Sequence, residues 1–97
     1  MSAQPISFDM SQVGGSHLVS VWATPVRPVG RIWGFSVTGT DRTGREYWLG
    51  SVVIGRRRVR PAWVRAVESL LAPSARAALV NSIANAFHQL MEEKVWS

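Results

Sequence analysis

One change of hydrophobic period constrains the fold of this chain more than any other feature. Up to about Gly55 the apolar residues alternate with polar ones, and beyond Pro61 they recur at helical spacing. Ile6, Phe8 and Met10 alternate with Ser7 and Asp9, which predicts a short first strand. His17 to Thr24 reads as a second strand, stopped by Pro25 and Pro28, which cannot donate into a ladder. Ile32 to Thr38 places Trp33, Phe35 and Val37 on one face. Asp41-Arg42-Thr43-Gly44 is a tight turn, and Arg45 to Ile54 is the strand that returns from it.

After Pro61, at a position suited to a first helical residue, Trp63, Val64, Val67, Leu70 and Leu71 suggest a short helix. Pro73 interrupts the pattern, and Ser74 is placed to cap a longer helix with a stripe of Val80, Ile83, Phe87, Leu90 and Met91. The expected fold is α+β: an antiparallel three- or four-stranded meander, then a short helix and a long C-terminal helix packed on one sheet face. All 97 residues are expected to form one domain, with strands at about 5–54 and helices at about 61–95.

Composition narrows the function classes. There are no cysteines, so thiolate metal sites and disulfide scaffolds are excluded, and a reducing cytoplasm is the expected location. The N-terminal residues lack the pattern of a signal peptide, and no apolar run approaches the roughly 18 residues of a membrane span. His17 and His88 stand apart, Asp41 belongs to a turn, and Gly14-Gly15 lacks the lysine and helix of a phosphate loop. No nucleophile–base pair can be nominated, so no enzymatic activity and no cofactor or metal is expected.

Charge carries the positive signal. The net charge is +5, and nine of the eleven cationic residues are arginines between Arg27 and Arg65, opposed there only by Asp41 and Glu46. A field of this sign attracts polyanions or an acidic protein surface. Arg56, Arg57, Arg58 and Arg60, with Arg65 close by, offer bidentate contacts to phosphates. The same run also reads as a solvated connection. Five tryptophans add to this: Trp33 and Trp63 are expected in the core. Trp22, Trp33 and Trp48 cannot all point inward from a sheet with one buried face, so Trp22 or Trp48 is expected outside.

Trp33-Gly34, Thr43-Gly44-Arg45 and Trp48-Leu49-Gly50 together resemble the plant AP2/ERF DNA-binding domain and related phage integrase N-terminal domains. The resemblance covers about twenty residues of one hairpin. It implies three antiparallel strands, a helix behind them, and a sheet set into the DNA major groove. It would give contacts to Arg31, Trp33, Arg45 and Trp48. The interval between the two tryptophans is shorter than in the plant domains, the residues Gly55 to Arg60 intervene before the helix, and Leu18 to Ala23 lacks the arginines of that family's first strand.

The leading expectation is therefore a small non-catalytic nucleic-acid-binding protein, with DNA favoured and Arg31, Arg45, Trp48, Arg56, Arg57, Arg58, Arg60 and Arg65 as the contacting residues. The alternatives are a phage or mobile-element inhibitor of anti-CRISPR style that docks on a host protein complex, and an assembly protein acting as a homodimer. Replacing Arg56, Arg57 and Arg58 together by alanine is expected to weaken binding to duplex DNA while leaving the thermal unfolding curve in place. Unchanged affinity in a titration would remove this run from the interface.

Overall fold

Five strands lie side by side in chain order in the computed structural model, which describes residues 5–26, 33–55 and 58–96, the last seven by backbone alone. They are β1 (Ile6–Asp9), β2 (Leu18–Pro25), β3 (Trp33–Asp41), β4 (Glu46–Ile54) and β5 (Val59–Trp63), each antiparallel to its neighbour. A one-turn helix α1 (Val67–Leu70) leads to the long helix α2 (Pro73–Trp96). The α+β meander and the terminal helix agree with the sequence reading.

The fifth strand does not. Residues 59–63, where a helix was expected from Pro61, pair with β4 through Ile54↔Val59, Val52↔Pro61 and Gly50↔Trp63. Pro61 is tolerated because β5 is the last strand of the sheet, where one row of backbone groups has no strand to bond. Gly55 N–H donates to the Arg58 carbonyl at 2.8 Å, so the segment around the arginine run closes a hairpin rather than leading into a helix.

Pro73 likewise begins α2 instead of interrupting a helical pattern, and Ser74 lies in the first turn rather than at the cap. Proline is compatible with that turn because its missing N–H would have no intrahelical partner there. The alanines that follow, at 75, 77 and 78, favour helix and keep its first turns thin.

The core lies between the sheet and α2. Leu18, Val21 and Ala23 of β2, Phe35 and Val37 of β3, and Leu49, Val52 and Ile54 of β4 are buried against Val67, Leu71, Ala75, Leu79 and Ile83. The helix therefore buries Ala75, Leu79 and Ile83, one turn apart. Of the expected stripe, Ile83 and Phe87 hold, Val80 is half-buried, and the side chains of Leu90 and Met91 lie outside the described residues. Phe87 meets Phe35 edge-on at 5.7 Å and Trp33 at 6.0 Å between ring centroids, which joins the helix to the start of β3. Each large aliphatic or aromatic side chain removed from water here contributes about 1.5–3 kcal/mol. The start of α2 is tied to the sheet by backbone as well: Ala72 N–H donates to the Gly15 carbonyl, and His17 N–H to that of Leu70.

Two β-bulges set which residues face this core. In β4, Val37 pairs with Gly50 and Thr38 with Trp48, so Leu49 and Gly50 together span one step of β3. Tyr47 and Leu49 point inward before the bulge, Val52 and Ile54 after it. Gly50 has φ +129°, and a Cβ added there would overlap the Ala62 carbonyl oxygen and sit 3.0 Å from Trp63 Cα. Gly44 also has a positive φ of 86° but open space around its Cα. Gly50→Ala is therefore expected to cost roughly 2–6 kcal/mol, combining backbone strain with steric overlap, and Gly44→Ala about 1–2 kcal/mol. Urea denaturation midpoints should rank the two variants in that order.

Candidate functional site

The face of the sheet opposite α2 carries no covering element among the described residues. Strand register places Ser20, Thr24, Ser36, Thr38, Thr40 and Ser51 on it, a floor of short hydroxyl side chains across three central strands. Two tryptophans rise from this floor. Trp22 pairs with Thr38 from one side and Trp48 pairs with it from the other, so the two indoles start two strand spacings apart, roughly 10 Å. Trp48 is 59% exposed and Trp22 is half-buried.

The Trp48 ring is held in place. Its Nε1–H donates to Ser36 Oγ at 3.1 Å. Ser36 is diagonal to Trp48 across β3 and β4, so the N–H edge of the indole is held against the neighbouring strand. Val53 is also exposed, and its partner across β4 and β5 is Arg60. The ends of the face differ in charge. Asp9, Ser20, Thr40 and Glu46 form one cross-strand row at the end of the β3–β4 turn. Arg60 lies toward the other end, where Arg58 closes the β4–β5 hairpin.

The eight residues expected to make contacts are thus divided. Trp48 and Arg60 share the uncovered face, and Arg58 is exposed at its adjoining end. Arg45 follows the β3–β4 turn, at the opposite end of strands that run for nine residues, or about 30 Å. Its guanidinium sits 5.3 Å from the ring centroid of Tyr47, an inward-facing residue, and so leans to the helix side. Arg65 is exposed in the turn into α1, away from the face. Arg31, Arg56 and Arg57 lie outside the described residues. Of the positions taken from the resemblance, Trp33 packs into the core against Phe87. Trp63 packs against the core as expected.

Sequence reasoning did not find the hydroxyl floor. Its trace is the run of serines and threonines at alternate positions, Ser36-Thr38-Thr40 above all, which periodicity alone assigns to any solvated strand face.

The β3–β4 turn is stiffened by Asp41. Its Oδ1 accepts from Thr43 N–H at 2.9 Å, from the Thr43 hydroxyl and from Arg45 N–H, and its Oδ2 accepts from Tyr47 OH at 2.9 Å. These donors, the Thr43 hydroxyl first, lower its pKa to about 2, and the same carboxylate raises that of Tyr47. His17 is exposed, and the exposed His88 ring lies 5.8 Å from that of Phe87. No group of three or more His, Cys, Asp or Glu among the described residues is arranged to hold a metal ion. No helix there is long and apolar enough to cross a membrane.

Fold and face together define a small α+β domain with one sheet surface covered by a helix and the other bearing an anchored tryptophan. Compared with protein-family models, curated proteins and solved structures, the chain has no match.

The turn makes its own prediction. A carboxyl group with a folded pKa below its unfolded value contributes stability that is fully present above the unfolded pKa, 3.8, and is lost as pH falls through the folded one, about 2. Asp41→Asn should destabilise the protein near neutrality, and the difference from the parent should shrink between about pH 4 and pH 2. Unfolding followed across that range at constant ionic strength checks it; a difference independent of pH would mean that the charge is immaterial.

Proposed function

We propose that this chain is a non-catalytic nucleic-acid-binding protein, with DNA the favoured ligand, and that it binds through the uncovered face of its sheet. The observation that carries the reading is Trp48: a largely exposed indole, anchored by Ser36, on the same face as Arg60. An exposed aromatic ring on the same face as a guanidinium group suits a ligand that is both planar in parts and anionic throughout. The excess of positive charge supports the same class of ligand.

The division of the arginines refines the expectation from sequence. Arg58 and Arg60, at one end of the face, would neutralise phosphates there, whereas Arg45 leans to the helix side and Arg65 lies in the turn into α1. The row containing Asp9 and Glu46 repels phosphate at the other end. Affinity would come mainly from phosphate contacts and stacking, with little base readout, since the hydroxyl floor offers short side chains to any ligand above it.

Titration by fluorescence anisotropy with labelled DNA tests this. Affinity should fall steeply between about 50 and 200 mM salt, as counterions are released from each neutralised phosphate. Arg58→Ala with Arg60→Ala should weaken binding and flatten the salt slope by about two units, while Arg45→Ala should change little. Absence of binding at low salt would overturn the proposal and favour a protein partner for the same face, since an exposed tryptophan is also a common protein-interface anchor.

A further inference from the structure

We infer that the ligand form taken by the uncovered face is single-stranded DNA, with an unpaired base stacked on the Trp48 indole. The inference rests on the nucleic-acid reading and narrows it. A base inside a duplex has both its faces covered by neighbouring pairs, so only a splayed or unpaired base can lie on an aromatic ring.

The geometry favours such a platform over a major-groove wedge. Nε1–H of Trp48 donates to Ser36 on the adjacent strand, which pins that edge of the indole to the sheet while the residue stays 59% exposed. Thr38, which opposes Trp48, and Ser36 both carry small side chains, and the ring they adjoin is largely exposed. Trp22, roughly 10 Å across the same row, lines the far side of Thr38 and bounds the floor there. Arg60 is exposed near one end of this face.

Arg60 is also suitably spaced. It lies four residues along β3 from the Trp48 row, as Thr38 opposes Trp48 and Gly34 opposes Val53, the partner of Arg60. That is roughly 13 Å, a reach of about two nucleotides for an extended strand once the length of the arginine is included. A base on Trp48 thus leaves a nearby phosphate of the same strand within range of Arg60. The acidic row of Asp9 and Glu46 lies the other way and sets the direction in which the backbone leaves the platform. DNA rather than RNA follows from the nucleic-acid reading above, in which DNA is the favoured ligand.

The test uses the full chain with three probes of equal length: oligodeoxythymidine, oligouridine and a mixed-sequence DNA duplex, titrated at low salt while intrinsic tryptophan fluorescence is followed. The expected result is at least tenfold tighter binding of oligodeoxythymidine than of the duplex, with quenching of tryptophan emission. Trp48→Ala should weaken oligodeoxythymidine binding roughly five- to a hundredfold, the range lost with one base–aromatic stack, and Trp48→Phe should restore most of it. Trp48 is largely exposed and outside the core, and circular dichroism of both variants controls for loss of folding. Duplex binding as tight as single-strand binding, with no response to Trp48→Ala, would overturn the inference and leave the nucleic-acid reading standing. Tighter binding of oligouridine would overturn the choice of DNA. No binding of any probe would remove both.

Discussion

The position of Gly50 governs which side of the sheet each aromatic residue occupies. Without the extra residue at the bulge, the alternation that buries Val52 and Ile54 would run back along β4 to bury Trp48 and expose Tyr47 and Leu49. With it, Leu49 completes the core and Trp48 is turned to the uncovered face. Only a residue without a Cβ fits there, because the φ of +129° is costly for any other and the carbonyl of Ala62 occupies the space a side chain would need. The bulge therefore connects the interior to the candidate site: the same backbone irregularity fills the core and displays the indole. β2 uses a similar device between Leu18 and Ser20, after which Val21 and Ala23 point inward and Trp22 outward.

The sheet can leave one face open because the other is fully used. Ala75, Leu79 and Ile83 lie one turn apart on α2 and cover the central strands, while Phe87 closes the gap between Trp33 and Phe35. A thin start to the helix, with alanine at 75, lets it approach where the chain is already held by the bonds between residues 15–17 and 70–72. Among the described residues every fully buried core side chain is apolar, and the one buried polar side-chain atom without a partner is Nε of the half-buried Arg76 on α2, so the core is held by packing.

Much of the fold was legible in the sequence, and the failures have physical causes. Alternation located the first four strands because each packs one face against the core, and the Asp41-to-Gly44 turn was visible because its chemistry is local. β5 was missed because Val59, Pro61 and Trp63 match a helix start as well as an edge strand, and only pairing with Val52 and Ile54 decides between them. Pro73 was misread for a related reason: proline before a helical pattern and proline within one look alike until the preceding backbone is known. At the site, periodicity limited how many tryptophans could point inward but could not say which of Trp22 and Trp48 is more exposed. That answer depends on bulges, and a bulge is a property of two strands, so Gly50 alone does not reveal it.

The arginines show where charge counting stops being informative. Nine of them crowd one stretch of sequence, yet antiparallel pairing returns the chain every nine or so residues, so neighbours in sequence are distributed between opposite ends of the sheet. Arg45 and Arg58 are thirteen positions apart and sit at the two ends of β4, while Arg60 and Trp48, twelve apart, share a face. Net charge sets the strength of attraction at a distance, but which guanidinium groups can act together is decided by the surface they share. By that criterion the positive field of the chain reduces, among the described residues of the open face, to one arginine beside the sheet and one at its end.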